Sequence, residues 1–224
     1  MELHNAWIDL VQRIEMESHL EQDLVECLMK WYGDFPSKTA DSLNGYTILH
    51  VVASHGEISL VKFIASYIDN LNPRKGNGAT PLYQAAFHGQ IEVVEFLASK
   101  VENPYEAKNN GATPISAACQ DGHLDVVKFL ATKIDNLNAP EGIDRWTPLH
   151  IAAIGGHTEV VKYLAARVEN PNVRGPGERT PLNMAAENQH PDVVKVLLQQ
   201  ICYKFETDPM TFSNTFRSFH GLPT

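Results

Sequence analysis

The stretch Asp144–Asn172, DRWTPLHIAAIGGHTEVVKYLAARVENPN, decides how the rest of the chain is read. Slid along the 224 residues, it meets four partial copies of itself. A threonine opens each unit, at Thr47, Thr80, Thr113, Thr147 and Thr180, with spacings of 33, 33, 34 and 33 residues. A fixed period in this range marks a stacked-repeat architecture, in which each unit is too small to bury its own apolar face.

Every recurring place in the unit has a physical reason. Thr-Pro opens four units and Thr47-Ile48 the first. The hydroxyl can accept from an orphan backbone N–H, and proline at the first helical position forfeits nothing. Glycine stands nine residues later at Gly56, Gly89, Gly122 and Gly156, so the first helix is short and ends in a turn that wants positive φ. The fifth unit has Gln189 there, and Asn188 is the expected substitute. Paired apolar residues then begin a second, amphipathic helix: Leu60-Val61, Val93-Val94, Val126-Val127, Val160-Val161 and Val193-Val194. Ala85-Ala86, Ala118-Cys119, Ala152-Ala153 and Ala185-Ala186 are small enough to let helix axes approach closely.

Thr-Pro-Leu-His-x-Ala-Ala at Thr147–Ala153, Gly-His-x-x-Val-Val at Gly156–Val161 and Asn-Gly ahead of the threonine resemble tandem ankyrin repeats, over roughly residues 41–200. The resemblance implies an all-α solenoid of stacked antiparallel helix pairs with projecting β-hairpin-like loops. Asn44-Gly45, Asn77-Gly78 and Asn110-Gly111 suit such tight loops. Where the family ends its second helix on glycine, this chain has Ile68, Val101, Ile134 or Val168. The left-handed residue is therefore expected at Asn70, Asn103, Asn136 and Asn170.

Three segments follow: an amino-terminal helical pair over 1–40, five repeats over 41–200 starting near 44, 77, 110, 144 and 177, and a tail over 201–224. Leu3, Ala6, Trp7, Leu10, Val11 and Ile14 keep helical spacing, and Ser18-x-x-Glu21 opens a second helix through Trp31. Such a pair suits a cap on the open end of the stack; a separate binding hairpin is the alternative. In the tail, Asp208-Pro209 suits a short helix carrying Phe212, Phe216 and Phe219. It reads as a second cap, a docking peptide or the start of a longer protein.

The net charge of −9, from 27 acidic and 18 basic residues, argues against a nucleic-acid partner and favours a protein with a neutral or basic surface. It also leans toward a monomer. Cys27, Cys119 and Cys202 are odd in number and lack metal spacing, which points to a reducing, intracellular setting, cytoplasmic or nuclear. No basic, apolar leader opens the chain, and no run approaches a membrane span.

The ten histidines invite a metal reading. Seven fall in three columns: His50 and His150 three places after the threonine, His55 and His88 eight, and His123, His157 and His190 ten. Stacked helices stand about 8–10 Å apart, whereas zinc needs its ligands within roughly 2 Å. Column neighbours cannot share an ion without leaving their rotamers. Tyr83, Ser116 and Asn183 occupy the same column as His50 and His150, so a structural bond to a neighbouring loop is expected there. No nucleophile, zinc-protease or phosphate-loop motif appears. The expectation is no enzyme, no cofactor and no metal.

A binding surface remains. The resemblance places it on the hairpins and the exposed end of each first helix, one place before the threonine and seven and eight after it. The candidates are Tyr46, His55, Phe87, His88, Gln120, Asp121, Trp146, Ile154, Arg179 and Glu187. Aromatics and arginine dominate interface energetics, which singles out Tyr46, Phe87, Trp146 and Arg179. The competing reading packs these side chains on neighbouring loops. An adaptor is the second functional expectation, with the repeats choosing a client and Phe212–Phe219 recruiting other machinery such as a degradation complex.

Overall fold

A computed structural model describes residues 47–66, 68–142 and 144–207. The amino-terminal pair, Tyr46 and the phenylalanines of the tail lie outside the described residues. Among the described residues ten α-helices form five antiparallel pairs: α1 (Ile48–His55) with α2 (Ile58–Ala65), α3 (Pro81–Phe87) with α4 (Ile91–Lys100), α5 (Pro114–Asp121) with α6 (Leu124–Ala131), α7 (Pro148–Ile154) with α8 (Thr158–Arg167), and α9 (Pro181–Glu187) with α10 (Pro191–Thr207). The described residues hold no strand, only one antiparallel bridge between Glu141 and Trp146. The architecture is an all-α repeat solenoid.

The threonine caps form as their residue type dictates. Thr80 Oγ1 accepts from the Tyr83 N–H at 3.1 Å and Thr180 Oγ1 from the Asn183 N–H at 3.2 Å. Four caps are reciprocal, because the third residue of the helix returns a bond to the threonine N–H: His50, Ser116, His150 and Asn183. Histidine, serine and asparagine here do what glutamate does in the familiar capping box. His50 and His150 go further, each donating from Nε2 to the next unit's loop, at Ala79 O (3.0 Å) and Arg179 O (3.1 Å). The expected bond to a neighbouring loop holds for these two histidines. Ser116 likewise meets the next unit's loop, at the Glu141 carboxyl, whereas Asn183 spends its bonds within its own cap.

The core is one continuous seam. Leu49, Leu82, Ile115 and Leu149 from the first helices meet Val61, Val94, Val127 and Val161 from the second, all buried. Leu97, Leu130, Leu164 and Leu197 are fully enclosed, and Ala85, Ala118, Ala152 and Ala185 let the helices touch. Burying one leucine contributes about 1.5–3 kcal/mol, so stability resides between units.

Two expectations about backbone reversals need correction. Gln189 itself takes positive φ (61°), while Asn188 ends α9 at −89°. The turn before α10 has one geometry to satisfy and forces it on the residue in the glycine place. Asn70, Asn103, Asn136 and Asn170 are not left-handed. Each instead accepts, through Oδ1, the backbone N–H two residues on, at 2.9–3.0 Å. An asparagine side chain can close a turn without changing the sign of φ, so the β-branched residue before it goes unstrained. Asn77 and Asn110 use the same bond in the hairpins, toward Ala79 and Ala112, and leave positive φ to Gly78 and Gly111.

Candidate functional site

The hairpins are pinned by a shared pair of backbone positions. Lys75, Lys108, Glu141 and Gly175 each donate N–H to the carbonyl just before the threonine, at Ala79, Ala112, Trp146 and Arg179. Units two and three fit four-residue steps between these partners. The fourth has one residue more, and its loop carries Gly142 at φ 73° and Arg145 at φ 54°. Successive hairpins ride on one another: Asn109 N–H reaches Asn77 O at 2.9 Å. A Cβ on Gly111 would stand 2.7 Å from the Gly142 backbone, so only glycine allows that approach.

This wider fourth hairpin helps form an open groove of about 670 Å³ on the hairpin side. Gln120, Trp146 and Ile154 line it, together with Tyr83, Lys108, Ser116, Glu141, Asp144 and Ile151. Trp146 is half-buried, tilted toward the His150 ring at 5.1 Å, and a Cβ on Gly175 would strike its six-membered ring at 2.5 Å. The Cζ3–Cε3 side of the indole therefore packs on the next unit. Across the groove, the Lys108 ammonium stands 5.0 Å from the centre of the Tyr83 ring.

Glu141 reaches back 28 residues in sequence to accept from the Thr113 hydroxyl. Burial pushes its carboxyl above the ordinary value, opposed by its hydroxyl partners Thr113 and Ser116. Burial also pushes the Cys119 thiol well up, aided by the charge of Glu141, so Cys119 is a packed small residue rather than a nucleophile.

The other sequence candidates lie elsewhere. Phe87 packs with Ala79, Tyr83 and Ala117 at the edge of the groove and meets the exposed His88 ring edge-on. His55 bonds back to Val51 O on its own helix. Burial lowers the His88 pKa, partly offset by the charge of Asp121. Arg179 and Glu187 pair with each other at 3.5 Å on the surface. Of the ten candidates, the groove thus gathers three: Gln120, Trp146 and Ile154.

Sequence reasoning missed Tyr83, Lys108, Glu141 and Asp144 as groove residues. One signal was present. Two lysines, a glutamate and a glycine share one hairpin column, and the glutamate falls in the only unit lengthened by a residue. Among the described residues no group of three or more His, Cys, Asp or Glu is placed to hold a metal. No described helix is long and apolar enough to cross a membrane.

A family description, ankyrin repeats in three copies, matches residues 16–107, 71–141, 99–174 and 134–208. The chain belongs to the ankyrin-repeat family. No curated protein matches it. Ankyrin repeats are generally protein–protein interaction modules, and proteins built from them are typically not enzymes.

Proposed function

We propose that this chain is a non-enzymatic recognition module that holds a partner protein against the hairpin and first-helix side of units two to four. The observation that carries the proposal is the groove itself. A scaffold that repeats from unit to unit opens there into a cleft lined by Trp146, Ile154, Tyr83 and Gln120, with charged side chains at its rim. Aromatic and aliphatic anchors surrounded by polar groups are the composition of a binding hot spot. The repeats over 41–200 form the module, working as a monomer inside the cell, with 1–40 and 201–224 as flanks. Phe87, packed with Tyr83 beside the groove, and His55, His88, Asp121, Arg179 and Glu187 on the surrounding units are assigned to the outer part of the contact, and Tyr46 joins them by its place before Thr47 in the sequence.

The test compares two double variants as bait. Gln120→Ala/Asp144→Ala alters the groove at exposed positions, and Glu95→Ala/Glu159→Ala alters the outer side of the second helices. A protein captured by the parent and by the outer variant, but lost with the groove variant, is the expected result. Equal capture by both variants removes the groove from the function.

A further inference from the structure

We infer that the groove over units two to four is built to take an arginine side chain from the bound partner, with Glu141 as the counter-charge and Trp146 as the stacking wall. This rests on the recognition reading above and adds the chemistry of the ligand to it.

The argument starts from an electrostatic imbalance. Glu141 lines the groove, largely withdrawn from water, with the hydroxyls of Thr113 and Ser116 and the backbone of Thr113 as its partners. Among the described residues no cation forms an ion pair with it; the ion pairs there are Arg74–Glu106, Arg174–Glu178 and Arg179–Glu187. A desolvated carboxylate has room for about four donors, and these three partners leave capacity for another. A withdrawn charge is normally balanced by a partner. Here none is within the described part of the chain, and the side facing the groove is open.

The surroundings narrow the class of cation. Asp144 is a second carboxylate at the rim, exposed to solvent. Lys108 lines the same cleft, but its ammonium stands over the Tyr83 ring, which leaves the lining with two carboxylates to one ammonium. Trp146 lines the groove with a half-buried indole held in place by its contact with Gly175. A flat guanidinium can stack on an indole and present two N–H groups in parallel to a carboxylate, whereas an ammonium satisfies only one of those geometries at a time. The Gln120 amide oxygen gives a further acceptor at the wall.

The experiment is an NMR titration of the full chain with three blocked tripeptides of sequence Gly-X-Gly, where X is arginine, citrulline or lysine. Citrulline keeps the shape of arginine and removes the charge. Expected are millimolar binding of the arginine peptide with shifts at the Trp146 indole N–H and the Gln120 amide, and at least tenfold weaker binding of citrulline. Glu141→Gln keeps an acceptor for Thr113, so the fold holds; with it the preference for arginine over citrulline is lost. Asp144→Asn serves as a second variant at an exposed site and weakens arginine binding less than Glu141→Gln. Equal binding of arginine and citrulline, no shifts at Trp146, or a preference that survives Glu141→Gln overturns the inference. Equal binding of lysine and arginine overturns the assignment to a fork-shaped cation. A partner captured through the groove but indifferent to Glu141→Gln defeats the arginine inference alone. A partner that ignores the groove altogether defeats the recognition reading.

Discussion

The seam between units and the hairpin edge are built from the same repeat and follow opposite rules. At the seam, Gln90, His123, His157 and His190 each donate to the preceding unit, at Ser54, Phe87, Gln120 and Ile154 O, over 2.7–3.2 Å. Each side chain lies against the glycine nine places after the preceding threonine, where an added Cβ would fall within 2.2–2.6 Å of it. At the hairpin edge the equivalent places hold Ala79, Ala112, Trp146 and Arg179, which share only a backbone bond. Where the chain must register against a copy of itself, few side chains fit. Where only the backbone is committed, the side chains are free to specialise.

Substitutions can break or sharpen that contrast. The largest effect is expected in the seam: Leu164→Ala, at a fully buried site, should lower stability to urea by about 2–5 kcal/mol. Acid should attack the seam next, through His50. Burial holds this ring's pKa down from 6.5 to about 4, partly offset by its bond to Ala79. Above pH 6.5 neither state is protonated there. Between 6.5 and 4 only the unfolded chain takes up the proton, so stability falls as pH drops and levels off below about 4. The loss approaches roughly 3 kcal/mol, and denaturant melts of His50→Gln against the parent across that window should show a shallower slope, the remainder including His150, whose pKa burial also lowers. The raised pKa of Glu141 acts in the opposite sense and cancels in the comparison.

Smaller effects test single features. His157→Ala removes the tie to Gln120 and should cost about 1 kcal/mol in a thermal or urea melt. Gln189→Gly relieves a left-handed non-glycine residue and should stabilise by about 1 kcal/mol, bringing the fifth unit to the pattern of the others. At the hairpin edge, Gln120→Ala/Asp144→Ala should leave stability within about 0.5 kcal/mol of the parent. A large destabilisation by that pair would erase the distinction between seam and edge.

The parts of the fold legible in the sequence were those with one physical solution. Thr147-Pro148 can only start a helix well, and Gly122 answers a turn that also has to admit His157. Asparagine was misread because it has two ways to close a turn, by positive φ or by its side-chain oxygen, and spacing does not choose between them. The site was less legible because its key contacts join units. Glu141 reads as a loop acid until Thr113 is seen beneath it, and Arg179 reads as a free anchor until Glu187 is seen beside it. Trp146 and Ile154 were legible as groove-lining residues because they are large apolar residues where the repeat leaves an edge.

The ties between units reach only to the adjacent copy, so a break at one junction need not travel. The fifth unit leaves Ala186 exposed, while its equivalents Ala86 and Ala153 are covered. Among the described units, opening is therefore expected to begin at the fifth and stop at the next intact junction. Trp146 and Ile154 of the groove touch the fifth unit at Gly175 and His190, so fraying of the last pair of helices is expected to loosen that wall of the groove first.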